Sequence, residues 1–261
     1  MPHPGFNGGQ DPREMPAYGI PEAAHYLHIP RSTLRDWVKG RTYPLGETTH
    51  PPKSHDVLTG HAGQKFSPPL IVLPPPASRG PSALSFFNVV EAHVLGALLR
   101  QHRVSMPKVR EALTFLEKHF PSKHPLADQH FTTDGVNLFI DTYGHLINVT
   151  EEGQIAMRDM LRVHLSRIER DAAGVPVKLY LFTRTQSVDA PEVLAAEPKV
   201  IVIDPSIAFG RPVLAGTGIP TAIVAERYKA GESIEELAQD YDLLSQAVQE
   251  AIRCELETIA A

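Results

Sequence analysis

The sequence predicts an α+β fold, mostly helical, and three observations carry the prediction. Between residues 17 and 125, and again beyond residue 219, apolar residues recur at spacings of three and four, as one face of a helix requires. Between those regions lie four short runs of branched and aromatic residues, at Val136–Ile140, His145–Val149, Val177–Phe182 and Lys199–Ile203, which read as strands. Pro51-Pro52, Pro68-Pro69, Pro74-Pro75-Pro76 and Pro81 break the helical pattern between 42 and 83 and favour extended backbone.

A chain of 261 residues, 42% hydrophobic, has room for one to two packed domains. No run approaches the length of apolar sequence that spans a bilayer, and no basic segment followed by an apolar core opens the chain, so neither a membrane span nor a secretory signal is expected. Cys254 is the single cysteine, which excludes an internal disulfide and suits a reducing cytoplasm. The net charge of −5 argues against indiscriminate nucleic-acid binding, but its distribution is uneven. Residues 31–41 hold four bases (Arg31, Arg35, Lys39, Arg41) and one acid, whereas residues 189–261 hold five bases and thirteen acids. Phosphate favours the first region and is repelled by the second.

Taken in order, residues 1–16 are polar and rich in Gly and Pro, and form a flexible arm. Residues 17–41 predict a helix-turn-helix. Pro21 stands in a first turn, Ala23, Ala24 and Leu27 share a face, and Ile29-Pro30 makes the break. A second helix then buries Leu34, Trp37 and Val38, turns Arg31, Ser32, Arg35 and Lys39 outward, and ends at Gly40. Such a second helix enters the major groove in DNA-reading proteins; a solvated basic helix in a small bundle is the other reading. Residues 42–83 are a wing or a plain spacer, with Phe66 and Leu70–Leu73 as a short strand. Two amphipathic helices follow over 85–120, capped at Ser85 and Ser105, with His93 as a core histidine.

In the central part, Tyr143-Gly144 is the expected turn of a hairpin, Thr150 caps a long helix that closes at Gly174 with Ile155 on its apolar face, and a loop joins the last two strands over 190–198. Asp128, Asp134 and Asp141 read as solvated turn carboxylates. Beyond 219 three short helices are expected: Thr221 caps the first, Ser233-Ile234-Glu235-Glu236 is a capping box, and Leu244-Ser245 opens the third. Their outer face carries Glu235, Glu236, Asp240, Glu250, Glu255 and Glu257, which suits a basic protein surface rather than phosphate. The thirteen histidines show no metal-binding spacing, and no metal or cofactor is expected; His50, His55 and His61 fall in the proline-rich segment.

Before these helices lies Gly210-Arg211-Pro212-Val213-Leu214-Ala215-Gly216-Thr217-Gly218-Ile219-Pro220, whose glycines suit positive-φ turns and whose prolines fix φ. It lacks the Gly-Lys-Ser/Thr ending of a phosphate loop and the third glycine of a dinucleotide fingerprint. It reads as a shaped turn, neither strand nor helix. With Asp204-Pro205, Ala230-Gly231-Glu232-Ser233 and Ala247–Ile252, it resembles the bacterial domain-of-unknown-function family 433 over residues 198–257. Gly218 departs from that family's usual arginine. The resemblance implies a VapB-like antitoxin, often encoded beside a PIN-like toxin. At the other end, Glu22-Ala23-Ala24 and Thr33-Leu34-Arg35-Asp36-Trp37 resemble the helix-turn-helix of MerR-like regulators, and the helical pair over 85–113 resembles that family's second pair.

The boundaries that follow are a flexible arm (1–16), a MerR-like DNA-binding domain (17–125) with its proline-rich wing or linker (42–83), a small α/β unit (126–197) and an antitoxin-like, homeodomain-like three-helix domain (198–261). Arg31, Ser32, Thr33, Arg35, Lys39 and Arg41 are the expected DNA contacts. Arg211, Thr217, Glu235, Glu236 and Glu250 are the expected partner contacts. The leading expectation is a cytoplasmic, homodimeric, non-enzymatic antitoxin of a type II toxin-antitoxin system that binds operator DNA, represses its own operon and neutralises a PIN-like ribonuclease. A free-standing MerR-like transcriptional regulator without a toxin is the alternative. No paired catalytic carboxylates or nucleophile motif supports an enzyme.

Overall fold

The computed structural model describes residues 11–44, 64–75, 83–100, 106–128, 130–131, 135–147, 150–184 and 190–256. It is α+β. After a 3-10 turn at Pro12–Glu14 come β1 (Tyr18–Gly19), α1 (Ile20–Tyr26), α2 (Arg31–Lys39), β2 (Arg41–Pro44), β3 (Gln64–Ser67), β4 (Ala83–Leu84), α3 (Phe86–Arg100) and α4 (Met106–His119). Then follow α5 (Val136–Ile147), α6 (Glu151–Leu165), β5 (Ile168–Arg170), β6 (Pro176–Tyr180), α7 (Pro191–Ala195), β7 (Ile201–Ile203), β8 (Val213–Leu214), α8 (Thr221–Lys229), α9 (Ile234–Asp240) and α10 (Ser245–Leu256).

The first two helices form as their sequence dictates. Glu22 reaches back to the Gly19 amide at 3.2 Å and closes the start of α1. Ala23, Ala24 and Leu27 are buried, and His28 (φ 51) turns the chain into α2. Leu34, Trp37 and Val38 bury the inner face of α2. Gly40 ends it at φ 76, where an added Cβ would strike the Ser67 carbonyl and the Phe66 ring.

From Phe86 to Leu98, α3 is buried all round rather than amphipathic, and it is the central post of the fold. Its polar residues are therefore all engaged. Ser85 and Asn88 cap each other reciprocally at 3.2 Å, Asn88 Nδ2 also donates to the Val72 carbonyl at 3.0 Å, and His93 Nε2 sits 3.1 Å from the His164 carbonyl. His93 is a core histidine, as expected.

The central region differs most from expectation. The expected hairpin over 136–149 is instead α5, and Tyr143-Gly144 lies within the helix. Val136, Phe139 and Ile140 are buried at helical spacing, and α5 packs on α4 and α6. A five-residue alternation fits either period, and helical packing partners decide between them. Thr150 caps α6 as expected, its hydroxyl accepting from the Gly153 amide at 3.3 Å, but α6 ends at Leu165. Gly174 (φ 79) sits in the β5–β6 turn, and Ile155 faces outward while Met157 is buried.

Strands β5, β6, β7 and β8 make one antiparallel sheet in that order, pairing Leu179 with Ile203 and Ile201 with Leu214. This sheet runs across residue 198, and a main apolar cluster of buried residues extends from Tyr18 to Cys254. The segment between β6 and β7 contains α7 where a loop was expected. Buried Arg167 holds that helix by donating to the carbonyls of Leu194 (3.1 Å), Glu197 (2.7 Å) and Pro198 (3.0 Å), with its guanidinium 4.3 Å above the Phe182 ring. Asp141 is paired with Arg158 at 2.6 Å, and Asp134 lies outside the described residues.

Arg167→Ala strands the carbonyls at the end of α7 and empties a buried volume. A loss of about 3 kcal/mol in urea unfolding is expected; a loss under about 1 kcal/mol would contradict the role given to Arg167.

Candidate functional site

The outward face of α2 presents Arg31, Ser32, Arg35 and Lys39 to solvent, with Thr33 half-buried at its first turn. Arg41, exposed at the start of β2, lies 3.5 Å from Asp36. Directly after α2, β2 and β3 form a two-stranded ribbon with Arg41 opposite Ser67 and Pro44 opposite Gln64. The ribbon is fastened beside the helix. The Leu70 and Ile71 amides both donate to the Trp37 carbonyl (2.7 and 3.1 Å), and Arg110 of α4 donates to Ser67 Oγ and the Pro69 carbonyl, each at 3.1 Å. Of the strand expected here, Phe66 lies on β3, but Leu70–Leu73 has no strand conformation and Val72 is exposed. A basic helix with a ribbon beside it can lie against a phosphate backbone.

The second feature is the stretch from Asp204 to Pro220. Asp204 Oδ1 accepts from the Ser206 amide (2.8 Å) and hydroxyl (2.5 Å), a 3-10 turn follows at Ala208–Gly210, and Val213–Leu214 pairs with β7. The expected turn therefore contains a strand, because Val213 and Leu214 bury against the sheet edge. Gly210, Gly216 and Gly218 take φ of 78, 79 and 73, as their spacing suggested. A Cβ on Gly210 would collide with the Tyr18 hydroxyl. Thr217 is exposed, but its hydroxyl is used internally, donating to the Leu214 carbonyl at 2.9 Å and accepting from the Ile219 amide at 3.0 Å. Arg211 is exposed. Thr221 does not cap α8; Pro220 holds that position, and the buried Thr221 hydroxyl lies 2.5 Å from Glu255 Oε1.

One residue of this stretch was not singled out by sequence reasoning. Phe209 is 96% exposed, and both it and Ala208 hold positive φ (56 and 48). Nothing in Ile207-Ala208-Phe209-Gly210 signals this, since left-handed backbone normally calls for Gly or Asn.

The segment leading into α2 is bonded to the C-terminal half of the chain by side-chain-to-backbone contacts. The Tyr18 hydroxyl donates to the Gly210 carbonyl at 2.9 Å, and burial beside Glu22 and Asp204 pushes its pKa upward, so it stays a donor. His25 Nε2 of α1 lies 2.8 Å from the Cys254 carbonyl in α10, and His28 Nε2 lies 2.9 Å from the Phe182 carbonyl.

The acidic face is narrower than expected. Glu235 and Glu236 are exposed, Glu236 closing the capping box on the Ser233 amide (2.8 Å) and hydroxyl (2.7 Å). Asp240 is paired with Arg227 at 2.5 Å, and Glu257 lies outside the described residues. Glu250 is not on the outer face at all: it is 1% exposed, held by Arg184 (2.8 Å), Arg253 (2.9 Å) and the Thr183 hydroxyl. An acid on one turn of α10 reads as solvated in sequence, but two of its three partners, Thr183 and Arg184, lie far away in the chain beyond β6. Among the described residues, no group of His, Cys, Asp or Glu is placed to hold a metal ion, and no helix is long and apolar enough to cross a membrane.

Comparison with known proteins places these features in context. The family described as "Protein of unknown function (DUF433)" matches residues 201–253. A Mycobacterium tuberculosis protein named "Putative antitoxin VapB45" is 27% identical, covering 95% of each chain. A second protein of that organism, "Uncharacterized protein Rv2308", is 24% identical over 92% of this chain and 89% of its own. The crystal structure of Rv2018 from M. tuberculosis shares the fold, with a TM-score of 0.63 at 23% identity over 92% of this chain and 98% of that one.

Burial pushes the Glu250 carboxyl up, but the bonds from Thr183 and Arg184 and the charges of Arg253 and Arg184 outweigh it and hold it below its ordinary range. Its contribution is therefore complete above the usual carboxylate range and is lost as pH falls through the depressed native value. Glu250→Gln is expected to cost about 2–3 kcal/mol at neutral pH, with the gap to the parent narrowing below about pH 4. A pH-independent gap in chemical denaturation would contradict this.

Proposed function

We propose that this chain is a non-enzymatic antitoxin of a type II toxin-antitoxin system, and that it binds operator DNA to repress its own operon. The observation that carries the reading is one chain holding both an outward basic helix flanked by a ribbon and a rigid Gly210–Pro220 stretch in the region that matches DUF433. The near-full-length likeness to a protein named as an antitoxin supports the same direction.

In this reading α2 enters the major groove. Arg31, Arg35, Lys39 and Arg41 contact phosphate or guanine, and Ser32 and Thr33 contact base edges or phosphates near the N-terminus of α2. Two half-sites one helical turn apart call for a homodimer. The MerR-like comparison fits the ribbon beside α2. The region around Arg211, Glu235 and Glu236 then faces the toxin, a PIN-like ribonuclease, while Thr217 shapes the turn. These assignments imply action in the cytoplasm.

A second reading, a free-standing MerR-like regulator, is favoured by a cleft of about 300 Å³ lined by Phe87, Lys123, His124, Asp128 and the turn at 173–176, which has the size of a small effector site.

The double variant Arg31→Ala, Arg35→Ala is expected to weaken binding to the promoter fragment upstream of this reading frame by tenfold or more. The slope of log affinity against log salt should shrink by about 2, as two phosphate contacts are removed. Unchanged affinity and slope would overturn the DNA half of the proposal.

A further inference from the structure

Beside the 3-10 turn that precedes β1, one imidazole stands between two carboxylates. His124 Nδ1 lies 3.1 Å from Oε2 of Glu91, a residue of α3 that is 4% exposed, and Asn88 Nδ2 donates to the same oxygen at 3.2 Å. On its other side His124 Nε2 lies 3.6 Å from Glu14 Oε2, the atom with which Lys123 also pairs. Nε2 is buried and has no hydrogen-bond partner among the described residues. The ring is held in place. The Ala127 and Asp128 amides donate to the His124 carbonyl at 3.0 Å, the His124 amide donates to Ser122 Oγ at 3.2 Å, and Phe87 stacks on the ring with centres 5.0 Å apart.

From this geometry we infer that His124 is a proton-operated latch. Protonated at both nitrogens, it fastens Glu14, and with it the segment running into β1, onto α3; on losing the Nε2 proton, it lets that segment loosen. Buried Glu91 requires the proton that lies between its oxygen and Nδ1. A second proton then has its place on Nε2, where it meets Glu14. Without it Nε2 turns a lone pair toward the Glu14 carboxylate, and attraction becomes repulsion. The Lys123 side chain is 70% exposed, so its pair with Glu14 is screened by water and does not replace the latch. The charged groups around the ring are Glu14 from the 3-10 turn, Glu91 from α3, and Lys123, Asp128 and His130 from its own segment. Further out, Glu117 of α4 acts on Glu91, Arg170 of β5 donates to the Ala127 carbonyl, and Arg13, paired with Asp11 and Asp171, lies over the Phe87 ring.

Burial pulls the His124 value down, but the bond to Glu91 and the charges of Glu91 and Glu14 outweigh it and hold it above the ordinary histidine value. The fastening is therefore complete below the ordinary value and is lost as pH rises through the raised native one. The amides that report it are those of Glu14, bonded to the Asp11 carbonyl (3.0 Å), Met15, bonded to Pro12 (3.3 Å), and Ala17, bonded to Leu84 (2.9 Å).

The test is amide hydrogen exchange of the full chain by NMR at about pH 5.5 and about pH 9, corrected for the intrinsic exchange rate at each pH, together with the ring titration of His124. Protection of the Glu14, Met15 and Ala17 amides is expected to fall by about fivefold or more at the higher pH, while amides of α10 hold theirs. Glu14→Gln, a change at a half-buried side chain that leaves the Glu91 pair intact, is expected to abolish this pH dependence and to lower the His124 midpoint. Lys123→Met is expected to keep it. A change under about twofold in the parent, the same pH dependence in Glu14→Gln, its loss in Lys123→Met, or a His124 midpoint at or below the ordinary value would each overturn the latch.

Discussion

The arrangement depends on how α1 and the turn after it are fixed to the C-terminal half of the chain. Tyr18 reaches Gly210, His25 reaches the last helix at Cys254, and His28 reaches Phe182 at the end of the sheet. Each bond ends on a backbone carbonyl, so the position depends on main-chain geometry more than on side-chain choice at the far end. Two short helices gain a fixed base, and α2 is left with its basic side outward. Gly210 completes the constraint, because only a residue without Cβ admits the Tyr18 hydroxyl.

Behind that junction the fold is organised around α3, which is enclosed on all sides, and the buried charges of Arg167 and Glu250 are matched by partners. Arg167 binds three carbonyls, and Glu250 binds two arginines and a hydroxyl. An unmatched partner in either network would leave a charge or a row of carbonyls desolvated, which is why these groups set the register of α7 and α10 so firmly. Glu91 is similar: burial pushes its carboxyl up, while Asn88 donates to it (3.2 Å) and His124 Nδ1 lies 3.1 Å away.

Local signals were legible in the sequence, and contacts distant in the chain were not. Pro21, Gly40 and the Ser233–Glu236 box each act through neighbours within four residues, and all stand where the sequence placed them. The period of Leu34, Trp37 and Val38 marked the inner face of α2. By contrast, Val136–Ile147 carried a pattern short enough to fit strand or helix, and only α4 and α6 resolve it. Glu250 read as a surface acid because Arg184 is 66 residues away. Phe209 was invisible because its strain is imposed by Tyr18 and Asp204 and not by its own type. His25 and His28, three apart in sequence, each contact a backbone carbonyl distant in the chain.

In the proposed function one chain binds DNA with α2 and a nuclease with its C-terminal unit at the same time. The most direct measurement is sedimentation of a labelled promoter fragment, taken from upstream of this reading frame, with the chain and a nuclease candidate encoded beside it. The account expects a single species containing DNA, chain and nuclease. A fragment that sediments alone, or a DNA complex from which the nuclease is absent, would contradict it.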